Sequence, residues 1–249
     1  MVRATLIQID NYGPWTVTPE PRRESDIQAL QARLYADLCA SFGAHDASVF
    51  FSRFDNVVAF TEGVSVDTHR SVQRSINNRY PVTVSMGVAD GATPRDAVGR
   101  ASTLLQDEGS AQDADRVGRL ASDLDGATTV QVAHFDIEDA TERYVDEIDA
   151  YGCQLLVERA GLALMEEMWD REAATFFVGG DNYVAVAPSL NPDDYGEVIE
   201  AVEDETRVEL KVGVGESETP ADAGMQAKHC LERSRNGGGR VEFYPSVTR

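Results

Sequence analysis

Between Glu24 and Phe42 the apolar side chains recur every three or four residues. This period places them on one face of an amphipathic helix. Ahead of that helix, residues 3–10 include four apolar side chains and end at Asp10, and this segment predicts a buried strand. The chain is therefore expected to open with a strand and a helix.

Further elements follow in a regular order. The predicted elements after the first helix are the strands Ser48–Arg53 and Asn56–Thr61, a helix over about 66–78 and the strand Val82–Val88. The two hairpin strands meet at a tight turn that carries Asp55. Thr93 is a good N-cap, with Pro94 at the first helical position and Asp96 as its capping-box partner, so another helix begins there.

The chain repeats itself with an offset of 126 residues. The matched segments are Leu6–Asp10 with Val132–Asp136, Arg53–Val57 with Gly179–Tyr183, Val84–Val88 with Leu210–Val214, and Thr93–Ala97 with Thr219–Ala223. Four matches in one register indicate two homologous halves with the same element order.

The repeated βαββαβ order with an extra helix predicts an α+β fold. We expect two tandem ferredoxin-like (palm-type) domains, each an antiparallel sheet with helices on one face. The predicted boundaries are 1–110 for the first domain, 111–126 for an Asp- and Gly-rich linker, and 127–249 for the second domain. The residues after Asn236–Gly239 are expected to form a short tail.

The net charge and the hydropathy exclude two classes of partner. The 249 residues include 43 Asp and Glu against 22 Lys and Arg, a formal charge of −21, whereas a nucleic-acid backbone binder needs a basic face. No apolar run approaches the roughly 18 residues of a membrane span, and a signal peptide is not recognisable. We expect a cytoplasmic protein without nucleic-acid or membrane partners. Its acidic excess with only two Lys is typical of proteins in molar salt, which screens carboxylate repulsion.

The scattered cysteines and histidines argue against zinc. The three Cys and four His show neither a CxxC pair nor any other ligand spacing. The residues concerned are Cys39, Cys153, Cys230, His45, His69, His134 and His229.

Two acids of the repeat fall at equivalent places, one ending the first strand and one in the hairpin. Because these strands are neighbours in the ferredoxin-like topology, Asp10 can approach Asp55, and Asp136 can approach Asp181. Two close carboxylates repel each other and stay ionised when a cation lies between them. Oxygen ligands without His or Cys select Mg²⁺, whose shell is completed by water and phosphates. The sequence thus predicts nucleoside triphosphate chemistry with one or two Mg²⁺ ions.

Two segments of the second half carry a resemblance. Phe135–Ile137 and Gly179–Asn182 are similar to the metal-binding signatures of palm-domain nucleotidyl cyclases, the GGDEF diguanylate cyclases in particular. Val84–Val88 resembles the strand that follows in that superfamily. Asn182 and Tyr183 depart from the pattern, since the cyclases have an acid and a Phe there.

A second resemblance covers essentially the whole chain. Gln8–Pro19 (QIDNYGPWTVTP) and Pro21–Ser25 (PRRES), with Phe42–His45, Arg53–Asn56 and Gly179–Asn182, resemble the archaeal GTP cyclohydrolase III family. The resemblance implies a hydrolase that opens the imidazole ring of GTP and removes phosphates. The implied product is 2-amino-5-formylamino-6-ribosylamino-4(3H)-pyrimidinone 5′-phosphate, a riboflavin and deazaflavin precursor. It also implies Mg²⁺ at paired Asp residues, activation by K⁺, a homotetramer and no zinc.

The resemblance also assigns site residues. The expected metal ligands are Asp10, Asp55, Asp136 and Asp181, of which Asp10 and Asp55 are expected to be catalytic. The expected nucleotide contacts are Asn11, Tyr12, Gly13, Arg22, Arg23, Arg53, Phe54, Asn56, Gly179, Gly180 and Asn182.

Two questions stay open in the sequence. A neutral loop and a basic pair follow Asp10, which favours the pair Asp10 and Asp55 as the metal site. An acidic run follows Asp136, but the second half alone has the open glycine turn. The alternative functions are a palm-domain nucleotidyl cyclase and a non-catalytic nucleotide sensor.

Overall fold

The chain forms two compact units, each built around one five-stranded sheet. They comprise Met1–Thr128 with Thr219–Ala221, and Thr129–Glu218 with Asp222–Arg249. The computed structural model describes residues 1–126, 129–138 and 148–245. In these ranges no helix combines the length and the apolar character needed to span a membrane.

The first unit follows the predicted order of elements. Its elements are β1 (Val2–Ile9), α1 (Tyr12–Val17), α2 (Glu24–Gly43), β2 (Ser48–Arg53), β3 (Asn56–Phe60), α3 (Val66–Arg79), β4 (Val84–Gly91), α4 (Pro94–Asp107) and β5 (Leu120–Asp123). The strand order is β2-β3-β1-β4-β5, with β1 antiparallel to both β3 and β4. The first four strands therefore have the ferredoxin-like arrangement, which confirms the predicted fold class.

Local sequence explains why these elements begin where they do. The Thr93 hydroxyl accepts a hydrogen bond from the backbone N–H of Asp96 at 3.2 Å and so caps α4 as predicted. The apolar face of α2 is buried through Ile27, Leu34, Leu38 and other residues of the predicted stripe. The strand predicted over Val82–Val88 lies slightly later, at Val84–Gly91, and α1 was not predicted.

Helices cover both faces of the first sheet. Residues of α2 and α3 share a core with Ile7 and Met86 on one face. The helix α4 lies on the opposite face, where a Cβ added to Gly87 would come within 2.2 Å of the Ala101 carbonyl oxygen. Side chains alternate along a strand, so Gly87 and Met86 point to different faces. The prediction of helices on one face only is therefore wrong, because the extra helix α4 covers the other face.

The second unit repeats the first. Its elements are β6 (Val130–Ile137), α5 (Ala150–Asp170), β7 (Ala174–Gly179), β8 (Asn182–Ala187), α6 (Pro192–Thr206), β9 (Leu210–Ser217), α7 (Pro220–Arg235) and β10 (Val241–Phe243). The strand order is β10-β9-β6-β8-β7, which is the same order as in the first sheet when it is read from β7 to β10. Helices α5 and α6 form the core with the sheet, and Gly213 lets the backbone of α7 approach the other face.

Two connecting segments differ from the prediction. The segment 111–126, predicted as a linker, contains β5, which pairs in parallel with β4 and so belongs to the first sheet. The predicted C-terminal tail contains β10, which pairs in parallel with β9. Both sheets are therefore mixed rather than purely antiparallel. The predicted boundary at 126/127 adjoins residues 127–128, which lie outside the described residues.

Candidate functional site

Asp10 follows β1 directly, and its carboxylate is enclosed by donors of its own unit. Oδ1 accepts hydrogen bonds from Ser85 Oγ at 2.7 Å and Arg116 Nε at 3.1 Å. Oδ2 accepts from Thr83 Oγ1 at 2.8 Å and the Gly118 backbone N–H at 2.9 Å. A carboxylate offers about four acceptor positions. All of them are used here, so Asp10 can ligate a cation only after releasing a donor.

Arg116, which binds Asp10, was not among the predicted site residues. Its side chain and that of Asp10 are both 2% exposed, so the ion pair between them is fully buried. Among the described residues, Arg116 Nη2 has no hydrogen-bond partner. Arg116 precedes β5 in the segment that composition assigned to a linker, and the 126-residue repeat has no arginine at the matching position.

Asp55 lies at the hairpin between β2 and β3, beside the end of β1. Its backbone carbonyl accepts from the Ile9 N–H at 3.1 Å, so the hairpin approaches the Asp10 strand end as predicted. Its carboxylate forms two hydrogen bonds with Arg53, at 2.9 and 3.2 Å. Phe54 at the tip is exposed and packs against Phe51. Arg53 therefore neutralises Asp55 in this state.

A cavity of about 640 Å³ opens on the α4 face of the first sheet. Its polar lining includes Gln8, Arg53, Asn56 and Arg116. The Gln8 side-chain amide donates to Asn56 Oδ1 at 2.9 Å, so the two amides are fixed on adjacent strands. The structure thus brings Arg53 and Asn56, both predicted nucleotide contacts, to one cavity with Arg116.

The loop after Asp10 holds three further predicted contacts. Asn11 adopts a left-handed backbone with φ of 50°. The Tyr12 hydroxyl accepts from Gln31 Nε2 at 2.7 Å. Gly13 lies so close to Gln112 that an added Cβ would be 2.3 Å from its Oε1. These residues therefore have structural roles in the loop, and their contact with a nucleotide stays a prediction.

The basic pair Arg22 and Arg23 borders a different cavity, of about 490 Å³. The Arg22 guanidinium lies 4.2 Å from the ring centroid of Trp15, and its Nε donates to the Trp15 carbonyl at 2.9 Å. Arg22 is thus engaged by a cation–π contact and a hydrogen bond. The cavity beside Asn56 is not lined by either arginine.

The second unit has the same strand-end constellation with different partners. Asp136, at the end of β6, is bound by Arg235 Nε at 3.0 Å and by a second contact from Arg235 Nη2. Arg235 also reaches Asn182 Oδ1 at 3.4 Å, and Asn182 donates to Asp181 Oδ1 at 2.8 Å. Burial raises the pKa of Asp181, and the nearby charge of Asp136 raises it further. The two carboxylates are therefore close enough for the charge of Asp136 to disfavour ionisation of Asp181.

The turn that precedes Asp181 is open. Gly179 and Gly180 have φ of +112° and +64°, values that favour glycine. No atom lies within 4 Å of a Cβ built on Gly179. Beside the turn, burial and the charges of Lys228 and Arg235 lower the pKa of His134, which leaves its imidazole neutral near pH 7. His134 was not among the predicted site residues.

The two strand-end carboxylate pairs differ in how fully their oxygens are occupied. The charge of Asp136 raises the pKa of Asp181, so the two carboxylates repel each other. A cation bound between them would relieve this repulsion. In the first unit Asp10 is saturated by four donors and Asp55 is paired with Arg53. In the second unit Asp136 is paired with Arg235, and Asp181 accepts a hydrogen bond from Asn182. Within the described ranges, no three His, Cys, Asp or Glu side chains are grouped to hold a metal ion. Two carboxylates are nonetheless enough when water and phosphates complete the shell.

Comparison with known sequences gives one consistent result. The family described as GTP cyclohydrolase III matches residues 1–247. GTP cyclohydrolase III 1 of Halobacterium salinarum is 50% identical over 239 residues, which cover 94% of each chain. GTP cyclohydrolase III of Natronomonas pharaonis is 48% identical, over 97% of this chain and 98% of its own. The Methanocaldococcus jannaschii protein of that name is 47% identical, over 94% of this chain and 88% of its own.

Solved structures are similar only in part. The GGEEF domain of a diguanylate cyclase from Vibrio cholerae covers 48% of this chain and 85% of its own, at 12% identity and a TM-score of 0.40. The GGDEF domain of DgcB from Caulobacter crescentus covers 47% of this chain and 78% of its own, at 15% identity and a TM-score of 0.41.

Proposed function

This chain belongs to the GTP cyclohydrolase III family and is an enzyme that acts on GTP, and we propose that Mg²⁺ held by the strand-end carboxylates supports that reaction. Water adds across the C8–N9 bond of guanine, opening the imidazole ring and leaving C8 as a formyl group. Further hydrolysis removes phosphates and leaves the formylamino-pyrimidine nucleotide monophosphate. A cation at such a site supplies Lewis acidity and neutralises phosphate charge.

The observation that carries the proposal is the connected set of Asp136, Arg235, Asn182 and Asp181. We infer that Asp136 and Asp181 hold the cation, because their carboxylates are neighbours and the adjacent glycine turn leaves room for a nucleotide. Arg235 keeps Asp136 oriented and supplies a positive charge beside the phosphates. This choice reverses the preference for Asp10 and Asp55 that the flanking charges gave.

The test uses purified protein with GTP, Mg²⁺ and molar KCl, followed by the ultraviolet spectrum and the product mass. Loss of the guanine spectrum with release of phosphate supports the proposal. An intact purine in a cyclic phosphodiester with release of pyrophosphate would identify a nucleotidyl cyclase. Tight GTP binding without any product would identify a nucleotide sensor.

Four single variants locate the site. Asp136→Asn and Asp181→Asn should each lower kcat by on the order of 100-fold or more, since each removes a charge that the cation needs. Asp10→Asn and Asp55→Asn are the matched changes in the other half. Wild-type kcat in the first two, with loss only in the second two, would move the metal site to the first unit.

Three finer properties belong to the same proposal. We propose that K⁺ activates the enzyme, that it works as a homotetramer in a salt-rich cytoplasm, and that its product enters riboflavin and deazaflavin synthesis. Replacing KCl by NaCl at equal ionic strength separates K⁺ activation from screening. Equal rates in the two salts would contradict a specific role of K⁺.

A further inference from the structure

Helix α5 is apolar on two opposite faces. One face lies in the core of the second unit through residues such as Val157, Leu164 and Met168. On the other face, five large apolar side chains are between 44% and 68% exposed: Tyr151, Leu155, Leu162, Met165 and Trp169. A helix that is apolar all round is normally covered on all sides.

The exposed side chains form a narrow seam. Positions 151, 155, 158, 162, 165 and 169 are separated alternately by four and three residues, the spacing of a coiled-coil seam. Five of the six are apolar, and Glu158 is the exception. We call this set the α5 seam.

An exposed aromatic ring extends the apolar surface next to the seam. Phe177, on the edge strand β7, is 47% exposed and packs 5.3 Å from Tyr183, centroid to centroid. The Tyr183 hydroxyl donates to the Val157 carbonyl in α5 at 3.0 Å. Phe177 therefore lies on the sheet face that α5 covers, beside the helix.

The duplicated helix of the first unit lacks the seam. The core positions match, since Leu34, Leu38 and Phe42 in α2 correspond to Ala160, Leu164 and Met168 in α5. The six seam positions correspond in α2 to Ser25, Ala29, Ala32, Ala36, Cys39 and Gly43. The fold of this unit type does not require an apolar seam, so its presence on α5 needs an occupant.

The spacing of the seam is compatible with a second copy of the helix as that occupant. The positions are symmetric about residue 160, so two antiparallel copies of α5 would set Tyr151 against Trp169 of the partner subunit. The same arrangement sets Leu155 against Met165 of the partner subunit, and each pair occurs twice. An isologous two-fold interface requires this kind of self-complementarity. The third pair sets Glu158 against Leu162 of the partner subunit. Any seam with alternating steps of four and three is symmetric in this way, so the choice of a second copy rests on the exposed area.

The exposed area is sufficient for a stable pair. Aromatic side chains bury roughly 150–250 Å² each. The five apolar seam residues and Phe177 are about half exposed, so each copy would contribute on the order of 500–700 Å². Two copies together would bury roughly 1,000–1,400 Å², which reaches the size of specific interfaces. Because the chain carries a charge of −21, this pairing also depends on salt to screen repulsion between copies.

We propose that a second copy of this chain packs antiparallel on the α5 seam and forms a two-fold interface of the assembly. The proposal rests on the oligomer proposed above, but it does not depend on the reaction or on the metal site. It locates the surface through which the oligomer forms.

The test is the mass of the full chain in molar KCl, measured by sedimentation equilibrium. The wild type should exceed the 27.2 kDa of one chain, and Leu162→Glu should lower that mass by breaking this interface. Ala36→Glu is the matched control, because Ala36 is the corresponding exposed position of α2, and it should leave the mass unchanged. Circular dichroism establishes that both variants fold.

A gain-of-association variant keeps the proposal falsifiable if Leu162→Glu does not fold. Glu158→Leu completes the seam and should lower the dissociation constant by about tenfold or more, since it replaces a charge by an apolar contact. A monomeric wild type, an unchanged mass in Leu162→Glu or an unchanged dissociation constant in Glu158→Leu would overturn the proposal. A monomer that co-sediments with phospholipid vesicles would overturn it in favour of a membrane surface.

Discussion

Glu62 provides a sharp test of the energetics of the first unit. This residue follows β3 by two positions and is only 4% exposed. Its Oε1 accepts from the Arg3 backbone N–H at 3.0 Å, and among the described residues its Oε2 has no hydrogen-bond partner. Nearby, the Arg3 guanidinium is bound to Asp90 by two hydrogen bonds of 2.7 and 3.0 Å. The positive charge closest to Glu62 is thus already paired.

Burial therefore dominates the titration of Glu62. Desolvation raises its pKa from the ordinary 4.5 to about 7, the charge of Asp90 raises it as well, and the contacts with Arg3 oppose the shift. Because the folded-state pKa lies above the unfolded one, the folded protein binds the proton more tightly. Stability is then lost as the pH rises from 4.5 to about 7. At about 1.36 kcal/mol per pKa unit, the loss amounts to about 3 kcal/mol above pH 7.

The perturbation is Glu62→Gln, which keeps the acceptor for the Arg3 N–H and removes the titration. We expect the two proteins to be equally stable near pH 4.5 and the variant to be more stable by about 3 kcal/mol at pH 8. Urea unfolding at constant molar KCl measures the difference, with an unchanged m-value as the condition for comparison.

The assay must report on one unit, because two units need not unfold together. The chain has two Trp, Trp15 and Trp169, so in a Trp169→Phe background the fluorescence of Trp15 follows the first unit. Glu20→Gln, at an exposed position, is the control for replacing a carboxylate by an amide. A constant difference between Glu62→Gln and the parent across pH 4.5–8, or a less stable variant at pH 8, would refute the reasoning.

Three further predictions concern packing, the buried ion pair and salt. Gly87→Ala should lower the free energy of unfolding by about 3 kcal/mol, because the new Cβ meets a backbone carbonyl of α4. Gly99→Ala, at a position of α4 where an added Cβ meets open space, should raise the free energy of unfolding by about 0.5–1 kcal/mol. Equal effects of the two variants in denaturant titrations would contradict the packing of α4 on β4. Arg116→Gln should lower the free energy of unfolding by about 3 kcal/mol, because Asp10 stays buried without the arginine charge. Arg53→Gln, at the exposed hairpin, should lower it by less than about 1 kcal/mol. The reverse order in the same titrations would show that the ion pair of Arg116 with Asp10 is not stabilising. Dialysis to low ionic strength should unfold or dissociate the protein, as circular dichroism and sedimentation would report, and unchanged stability and assembly there would contradict adaptation to salt.

Most of the individual elements could be predicted from local patterns. The α2 stripe, the hairpin around Asp55 and the Thr93 cap all depend on residues within a few positions of each other. The 126-residue repeat then allowed one prediction to serve both halves. Composition failed for the segment 111–126, because its Asp and Gly content is typical of a linker while its role depends on pairing with β4.

Local sequence patterns were enough to predict the βαββαβ order, the duplication and the carboxylate at the end of the first strand of each half. These features are periodic or short-range, so each window of the chain contains the information that specifies them. The contacts of each carboxylate, in contrast, depend on the tertiary structure. Arg116 lies 106 residues from Asp10, and Arg235 lies 99 residues from Asp136. Neither arginine has a counterpart in the repeat register, so no spacing rule could pair them. Those contacts exist because strand pairing and helix packing bring distant backbone together, and that long-range register is what a local pattern does not contain.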